Sequence, residues 1–454
     1  MLFKRKIEES VIKIKSRIYP FIAVLAAGLT LGYGLLQAAE ASYDRYASLP
    51  RVSEPRSSAS KVSSDFLTYP LELLRIPASK SLYLTEKYHL DNKAKWAYDK
   101  LTENGLTPKV GLFSVTGGSG GLDVDYVRLF RRKTDLPDLV AKSWVEYSNS
   151  VRFDAGSELG WQDISGTGVG SAVFVDYESR PEEHFYGLGP ETSAGNGTSY
   201  KMETTTAGVK LNYDPRPTLK GDLYFHYKNV NITNGEDGGR GIIDEIFPAG
   251  SIPGLAGDEL LVYGGEIQHD TRNQRELSTS GGLRRLGLAL NDGISGSDAQ
   301  FLKYQAEFSQ YFALGSPRRV LAYHAYGEHN DELGDSGVVP FHQMARLGGH
   351  GLGPWLSRTL RGYDVNRFSD ESSFLMNLEY RYTVWESKNF RMDTVTFADL
   401  GQVFAEFHEF EMDNFRESYG GGFRFSVANH MLLGIEVAHG DEGTNLYVRT
   451  STPF

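Results

Sequence analysis

Cysteine is absent from all 454 residues, which excludes a disulfide scaffold and any thiolate metal site. An excess of basic side chains is absent too. The formal net charge is −11, and a chain without a cationic stripe cannot release the counterions of a nucleic acid, so nucleic acid is not an expected partner. Past the first 40 residues no apolar run approaches the ~20 residues that a spanning helix needs, which removes a polytopic helical membrane protein from consideration. The chain is instead rich in glycine, tyrosine and phenylalanine, with 50, 26 and 25 residues. That composition suits a transmembrane β-barrel, whose alternating strands escape hydropathy averages. The length fits about three ordinary domains or one large closed β architecture.

The amino terminus reads as an address. Lys4, Arg5, Lys6, Lys13, Lys15 and Arg17 form a cationic leader, residues 20–36 are apolar, and Ala39-Glu40-Ala41 is an A-x-A processing site. Residues 1–41 are therefore expected to be a signal peptide. Residues 42–108 are expected to be a linker followed by a periplasmic helical segment. Asp91 is a candidate N-cap, Trp96, Tyr98 and Leu101 follow at helical spacing, and Gly105 sits where a helix C-terminal glycine belongs.

From Lys109 the period becomes two. Leu223, Phe225 and Tyr227 oppose Tyr224, His226 and Lys228; Leu302, Tyr304, Ala306, Phe308 and Phe312 oppose Lys303, Gln305, Glu307 and Ser309. In 145–153, Val145, Tyr147, Val151 and Phe153 share a face, and the alternation recurs in 374–384, 423–427, 433–437 and 446–454. Period alone fits a soluble sandwich equally well. Runs near the ~9 to 11 residues of a tilted spanning strand, ending in aromatics, favour a barrel. The expected fold is all-β: a transmembrane antiparallel β-barrel over 109–454, with 14 to 16 strands and most naturally 16, since bacterial single-chain barrels close with an even number. Gly315-Ser-Pro317 and Asn291-Asp-Gly293 read as tight turns, 231–257 and 327–374 as long loops.

The most informative stretch is 335–401. Asp335-Ser-Gly-Val-Val-Pro-Phe341 leads to Arg346-Leu-Gly-Gly349, Leu360-Arg-Gly-Tyr363 and Arg367-Phe368, then Leu378-Glu-Tyr-Arg381 and Phe397-Ala-Asp-Leu-Gly401. Alternation places Phe374, Met376, Leu378, Tyr380, Tyr382 and Val384 on one face, so Glu379 and Arg381 point to the lumen. On the next strand Asp399 shares a face with Phe397 and Gly401. Two lumenal carboxylates on adjacent strands need a cation, because unpaired buried charge is heavily penalised.

The order and spacing of these five elements resemble the carboxy-terminal half of the BamA/TamA superfamily of outer-membrane assembly barrels, the bacterial surface antigen barrel family. A weaker likeness reaches back through His184-Phe-Tyr-Gly-Leu-Gly-Pro190 and Asp270-Thr-Arg272. The resemblance implies that the long loop folds into the lumen and that its tip, Arg361-Gly362-Tyr363, docks on acids of the wall. Arg361 would then bridge Glu379 and Asp399, a task suited to a planar guanidinium, with Gly362 allowing the tip to turn. It also implies a Gram-negative outer-membrane location, and Phe454, the final residue on one face with Leu446, Val448, Thr450 and Thr452, as a recognition signal for the barrel-assembly machinery. Pro453 weakens pairing there, having no N–H to donate.

The resemblance stops at the polypeptide-transport-associated domains of that family. The residues before the first strand read as helical, and no βααββ unit fits them. Expected partners are outer-membrane lipid, the barrel-assembly machinery during biogenesis, and a periplasmic partner or client protein. An assembly or translocation barrel, a structural or binding barrel, and a passive pore all stay open. An enzyme is not expected. Gly117-Gly-Ser-Gly-Gly121 matches a nucleophile elbow literally, but strand alternation follows it where an elbow needs a helix. Residues 234–239 have calcium-loop composition without EF-hand spacing, the histidines are scattered, and nothing calls for a cofactor or metal.

Overall fold

The computed structural model describes residues 105–454, apart from 112–120, 131–138, 149–151, 350–357, 388–389, 428–429 and single residues 165, 236, 238, 249, 335 and 450. The leader, the 65–104 helical stretch and most of the Gly117–Gly121 motif lie outside the described residues.

Sixteen strands follow one another as an antiparallel meander: β1 Leu106–Gly111, β2 Gly121–Phe130, β3 Leu139–Ser148, β4 Phe153–Trp161, β5 Val169–Phe185, β6 Thr198–Arg216, β7 Leu219–Asn234, β8 Gly257–Asp270, β9 Gly281–Ile294, β10 Gln300–Ala313, β11 Arg319–Glu332, β12 Ser372–Glu386, β13 Phe390–Phe404, β14 Arg416–Val427, β15 His430–Gly440 and β16 Gly443–Arg449. A two-residue strand, Gly241–Ile242, runs parallel to β6, and Ala345–Leu347 pairs with Phe368–Asp370 in a separate ladder. Each strand pairs with its sequence neighbours, so apart from the outer edges of β1 and β16 backbone groups are satisfied within the sheet, as a hydrocarbon environment demands. Among the described residues no ladder joins β1 to β16.

The side chains are arranged as in a membrane barrel rather than a soluble sandwich. Along β12, Leu378, Tyr380, Tyr382 and Val384 are exposed, while Asn377, Glu379, Arg381 and Thr383 are buried. Leu223, Phe225, Ile267, Leu286 and Leu288 are likewise exposed, and Glu307 and Ser309 buried. A monomeric soluble protein does not present so continuous an apolar exterior. By alternation of strand direction, the connections 186–197, 235–256, 333–371 and 405–415 share one end, and the shorter 217–218, 314–318 and 387–389 share the other. The short 295–299 and 441–442 connections also lie at the long-loop end, and the ten-residue 271–280 connection lies at the other.

Four details differ from the sequence reading. Asn291, Asp292 and Gly293 lie within β9, because their alternation continues against β10; the chain reverses at Ser295 and Gly296. The 145–153 segment spans the β3–β4 hairpin, not one strand. The long loops are shorter than 231–257 and 327–374, since β7 runs to Asn234, β11 to Glu332, and β12 begins at Ser372. The closing strand stops at Arg449, so Phe454 does not share the exterior face of Leu446 and Val448. It is buried with Tyr311, Val320 and Ala322, its ring stacked on His324 at 4.8 Å between centroids. Pro453, which offers the ladder no donor, precedes this inward position.

Candidate functional site: an arginine-tipped loop inside the barrel

The β11–β12 connection crosses the interior. At its start Phe341 is fully buried, with ring centroids 5.0 Å from Phe185 and 5.2 Å from Tyr200, on the β5–β6 wall. Met344 joins Leu260, Val262 and Phe301 from β8 and β10. The Ala345–Leu347 ladder with Phe368–Asp370 then closes the loop on itself and brings its tip, 359–364, to the wall formed by β12 to β15. Asn377 Nδ2 donates to the Thr359 carbonyl at 2.9 Å, and His324 Nδ1 lies 2.7 Å from Asn377 Oδ1, fixing the approach of the next two residues.

Arg361 is fully buried. Its Nε and Nη2 donate to the two oxygens of Asp399 at 2.7 and 2.6 Å, its backbone N–H reaches Asp399 Oδ2 at 3.2 Å, and Nη1 donates to Glu379 Oε1 at 2.6 Å. This is the fork geometry that a guanidinium offers and an ammonium does not. The guanidinium carbon sits 3.4 Å from the Phe397 ring centroid, covering the remaining face. Burial alone would lower the Arg361 pKa; the Asp399 and Glu379 carboxylates outweigh it and raise it, so the side chain stays charged.

Glycines admit the tip. Gly362 has φ +92°, and a Cβ there would meet Gly440 N at 2.9 Å, so the turn favours a residue without a side chain. A Cβ on Gly401 would lie 3.1 Å from Leu347 Cδ1 and 3.2 Å from Leu360 Cδ2, the loop residues that rest on it. Tyr363 is buried, donating to the Glu417 carbonyl at 3.0 Å, and Tyr447 Oη accepts from Gly362 N at 2.9 Å while donating to the Tyr363 carbonyl at 3.0 Å.

The cluster is larger than the sequence reading. Arg424 of β14 donates to both oxygens of Glu379 at 2.8 and 2.9 Å and to Glu436 of β15 at 2.7 Å. Arg381 reaches Glu379 at 2.8 Å, Arg449 pairs with Glu436, and Glu436 Oε2 is 3.4 Å from Arg361 Nη1. Arg424, Glu436 and Arg449 lie between exterior residues, Phe423 and Phe425, Ile435 and Val437, and after Val448; that alternation was the available signal for them. Phe454, read as an exterior signal, instead lies near this cluster, with the Arg381 guanidinium 5.4 Å from its ring centroid.

A sixteen-stranded meander with an apolar outside, a charged inside and a chain segment folded into its bore is an outer-membrane β-barrel of the assembly and secretion type. The Omp85 superfamily domain model matches residues 141–438, and the chain belongs to that superfamily; its place is the outer membrane of a Gram-negative bacterium. Among solved structures it is similar to BamA from Haemophilus ducreyi lacking POTRA domains 1-3, at 15% identity over 76% of this chain and 69% of that one, with a TM-score of 0.55. It is also similar to CdiB from Escherichia coli, at 12% identity over 76% of this chain and 62% of that one, with a TM-score of 0.48. At such identities the likeness concerns the fold alone. No curated protein sequence matches.

Proposed function

We propose that this barrel assembles or translocates protein at the outer membrane, with its bore stoppered by residues 333–371 and the stopper held through Arg361. The observation that carries the reading is the two-pronged contact of Arg361 with Asp399 together with its bond to Glu379, inside the wall and out of solvent. A guanidinium held by two carboxylates on adjacent strands fixes the loop in one position and leaves the bore filled, which disfavours a passive pore. Residues 1–41 serve as a signal peptide in this reading and those from 42 up to the start of β1 at Leu106 as a linker and periplasmic segment, three residues shorter than the 42–108 expected from the sequence. Client capture falls to that segment or to a separate periplasmic protein. Phe454 contributes to recognition by the assembly machinery in the unfolded chain, before its ring is buried. The protein does no covalent chemistry.

Depletion of the protein followed by quantitation of the outer-membrane proteome tests this function. Loss of other outer-membrane or exported proteins is the expected result. An unchanged composition would contradict it and favour a structural or binding role, and a large steady conductance in planar bilayers would favour a pore.

A further inference from the structure

Between the inserted loop and the β5–β6 wall lies a cavity of about 90 Å3, lined in part by Arg180, Glu183, His342, Arg346, Arg358 and Asn366. The carboxylates around it are already engaged. Glu183 receives Arg152 at 2.9 Å and Asn366 at 3.0 Å, Glu178 receives Arg180 at 2.6 Å, and Glu328 receives Lys303 and Arg358, both at 2.7 Å. Cations remain in surplus. Arg346 is 5% exposed and bonds the Phe341 carbonyl, its nearest carboxylate oxygen is 3.8 Å away, and its Nε is buried with no hydrogen-bond partner. Arg358 Nε is unpartnered too. Lys228 reaches Gln343 Oε1 at 3.3 Å and has no ion pair among the described residues.

Five cations (Arg180, Lys228, Lys303, Arg346 and Arg358), besides the Arg152 that pairs with Glu183, thus face four carboxylates, Glu178, Glu183, Glu328 and Asp258, the last held by His342. Residues 350–357, which connect Gly349 to Arg358, contain no Asp or Glu that could redress the balance. His342 reflects the same local field. Burial, with Lys228 and Arg346 adding to it, outweighs the Asp258 hydrogen bond and pushes its pKa down to about 4, so the ring is neutral at pH 7. Gln343 Nε2 donates to its Nδ1 at 2.9 Å, leaving Nε2 to donate to Asp258 at 2.8 Å.

Uncompensated buried charge is expensive, and guanidinium groups converging on a small polar cavity match a tetrahedral anion with several acceptor oxygens. We infer that this cavity binds a phosphate group, free or as the monoester of a larger solute, through Arg346, Arg358 and Arg180 with Lys228 as the adjacent charge. The volume accommodates one such group but not a nucleotide or a sugar chain. The site stands apart from the Arg361 cluster and uses none of its residues.

Full-length protein in detergent micelles, titrated with inorganic phosphate and separately with dihexanoylphosphatidic acid, tests the inference by calorimetry and 31P line broadening. Saturable binding of inorganic phosphate is expected, weakened at least tenfold in Arg358→Gln and in Lys228→Gln and largely kept in Arg358→Lys. Heat-modifiable migration shows that each variant has folded. Binding of inorganic phosphate alone identifies a soluble ligand; binding of the short-chain lipid alone, with the same dependence on Arg358, identifies a lipid headgroup. Absence of binding for both probes, or binding untouched by both neutral substitutions, overturns the site.

Discussion

The inserted loop is held at two places by different forces. At Arg361 the hold is ionic, the loop arginine joining three wall arginines (Arg381, Arg424 and Arg449) and three carboxylates on β12 to β16. At Phe341 it is apolar, an aromatic ring set among Phe185, Tyr200, Val230, Ile232 and Ile243. Burying a ring is favourable for almost any arrangement that removes it from water, so the Phe341 end supplies adhesion with little choice of register. A buried guanidinium is stable only where the right acids meet it, because its desolvation must be offset by well-aligned partners. The ionic end therefore sets where the loop sits, and the aromatic end how firmly it stays.

The sharpest way to break this contrast is Arg361→Ala. It leaves Asp399 and Glu379 short of a cation, and removing one partner of a buried pair costs about 3–5 kcal/mol. Arg424 still covers Glu379, so the damage should centre on Asp399. A reduced yield of heat-modifiable barrel and protease cleavage within 333–371 are expected. Parent-like yield and protection would show that the ionic end does not set the position.

Phe341→Ala removes the other hold at about 3 kcal/mol, within the range for truncating a buried aromatic. Here the expectation is a lower thermal midpoint, with Arg361 still docked and the tip still protected from protease. Cleavage at the tip equal to that of Arg361→Ala would erase the distinction between the two ends.

A smaller effect comes from pH. His342 beside Phe341 is buried with its pKa pushed down to about 4, against about 6.5 in the unfolded chain. Between those values the unfolded chain holds a proton that the folded one does not, so stability falls as pH drops through this window. From pH 7 to 5 the loss from this group is about 2 kcal/mol. The unfolding free energies of the parent and His342→Gln should converge with falling pH by that amount. A constant gap between them would assign the pH response elsewhere.

Much of the wall was legible in the sequence, because charges set between exterior apolar residues, such as Glu379 between Leu378 and Tyr380, have only one face to occupy. Which lumenal charges meet was less legible, since it depends on ladder register. Glu379 opposes Phe397, and Arg424 opposes Asp393, pairings no local pattern announces. The Arg361 expectation came from likeness of motif rather than from spacing. The Phe341 anchor and the cationic cavity were missed because a loop has no period from which to infer what its side chains touch. The burial of Phe454 was missed for a related reason: its neighbours Tyr311 and His324 belong to β10 and β11, remote in sequence from the chain end.

Because the chain contains no cysteine, paired thiols can report loop position directly. Leu360 packs on Gly401, with Leu360 Cδ2 3.2 Å from where a Gly401 Cβ would stand. In a Leu360→Cys, Gly401→Cys protein oxidised in intact cells, a loop seated by Arg361 predicts an intramolecular crosslink joining the tip to β13. The crosslink should be lost when Arg361→Ala is added. Free thiols at both positions in otherwise folded barrels would contradict the account.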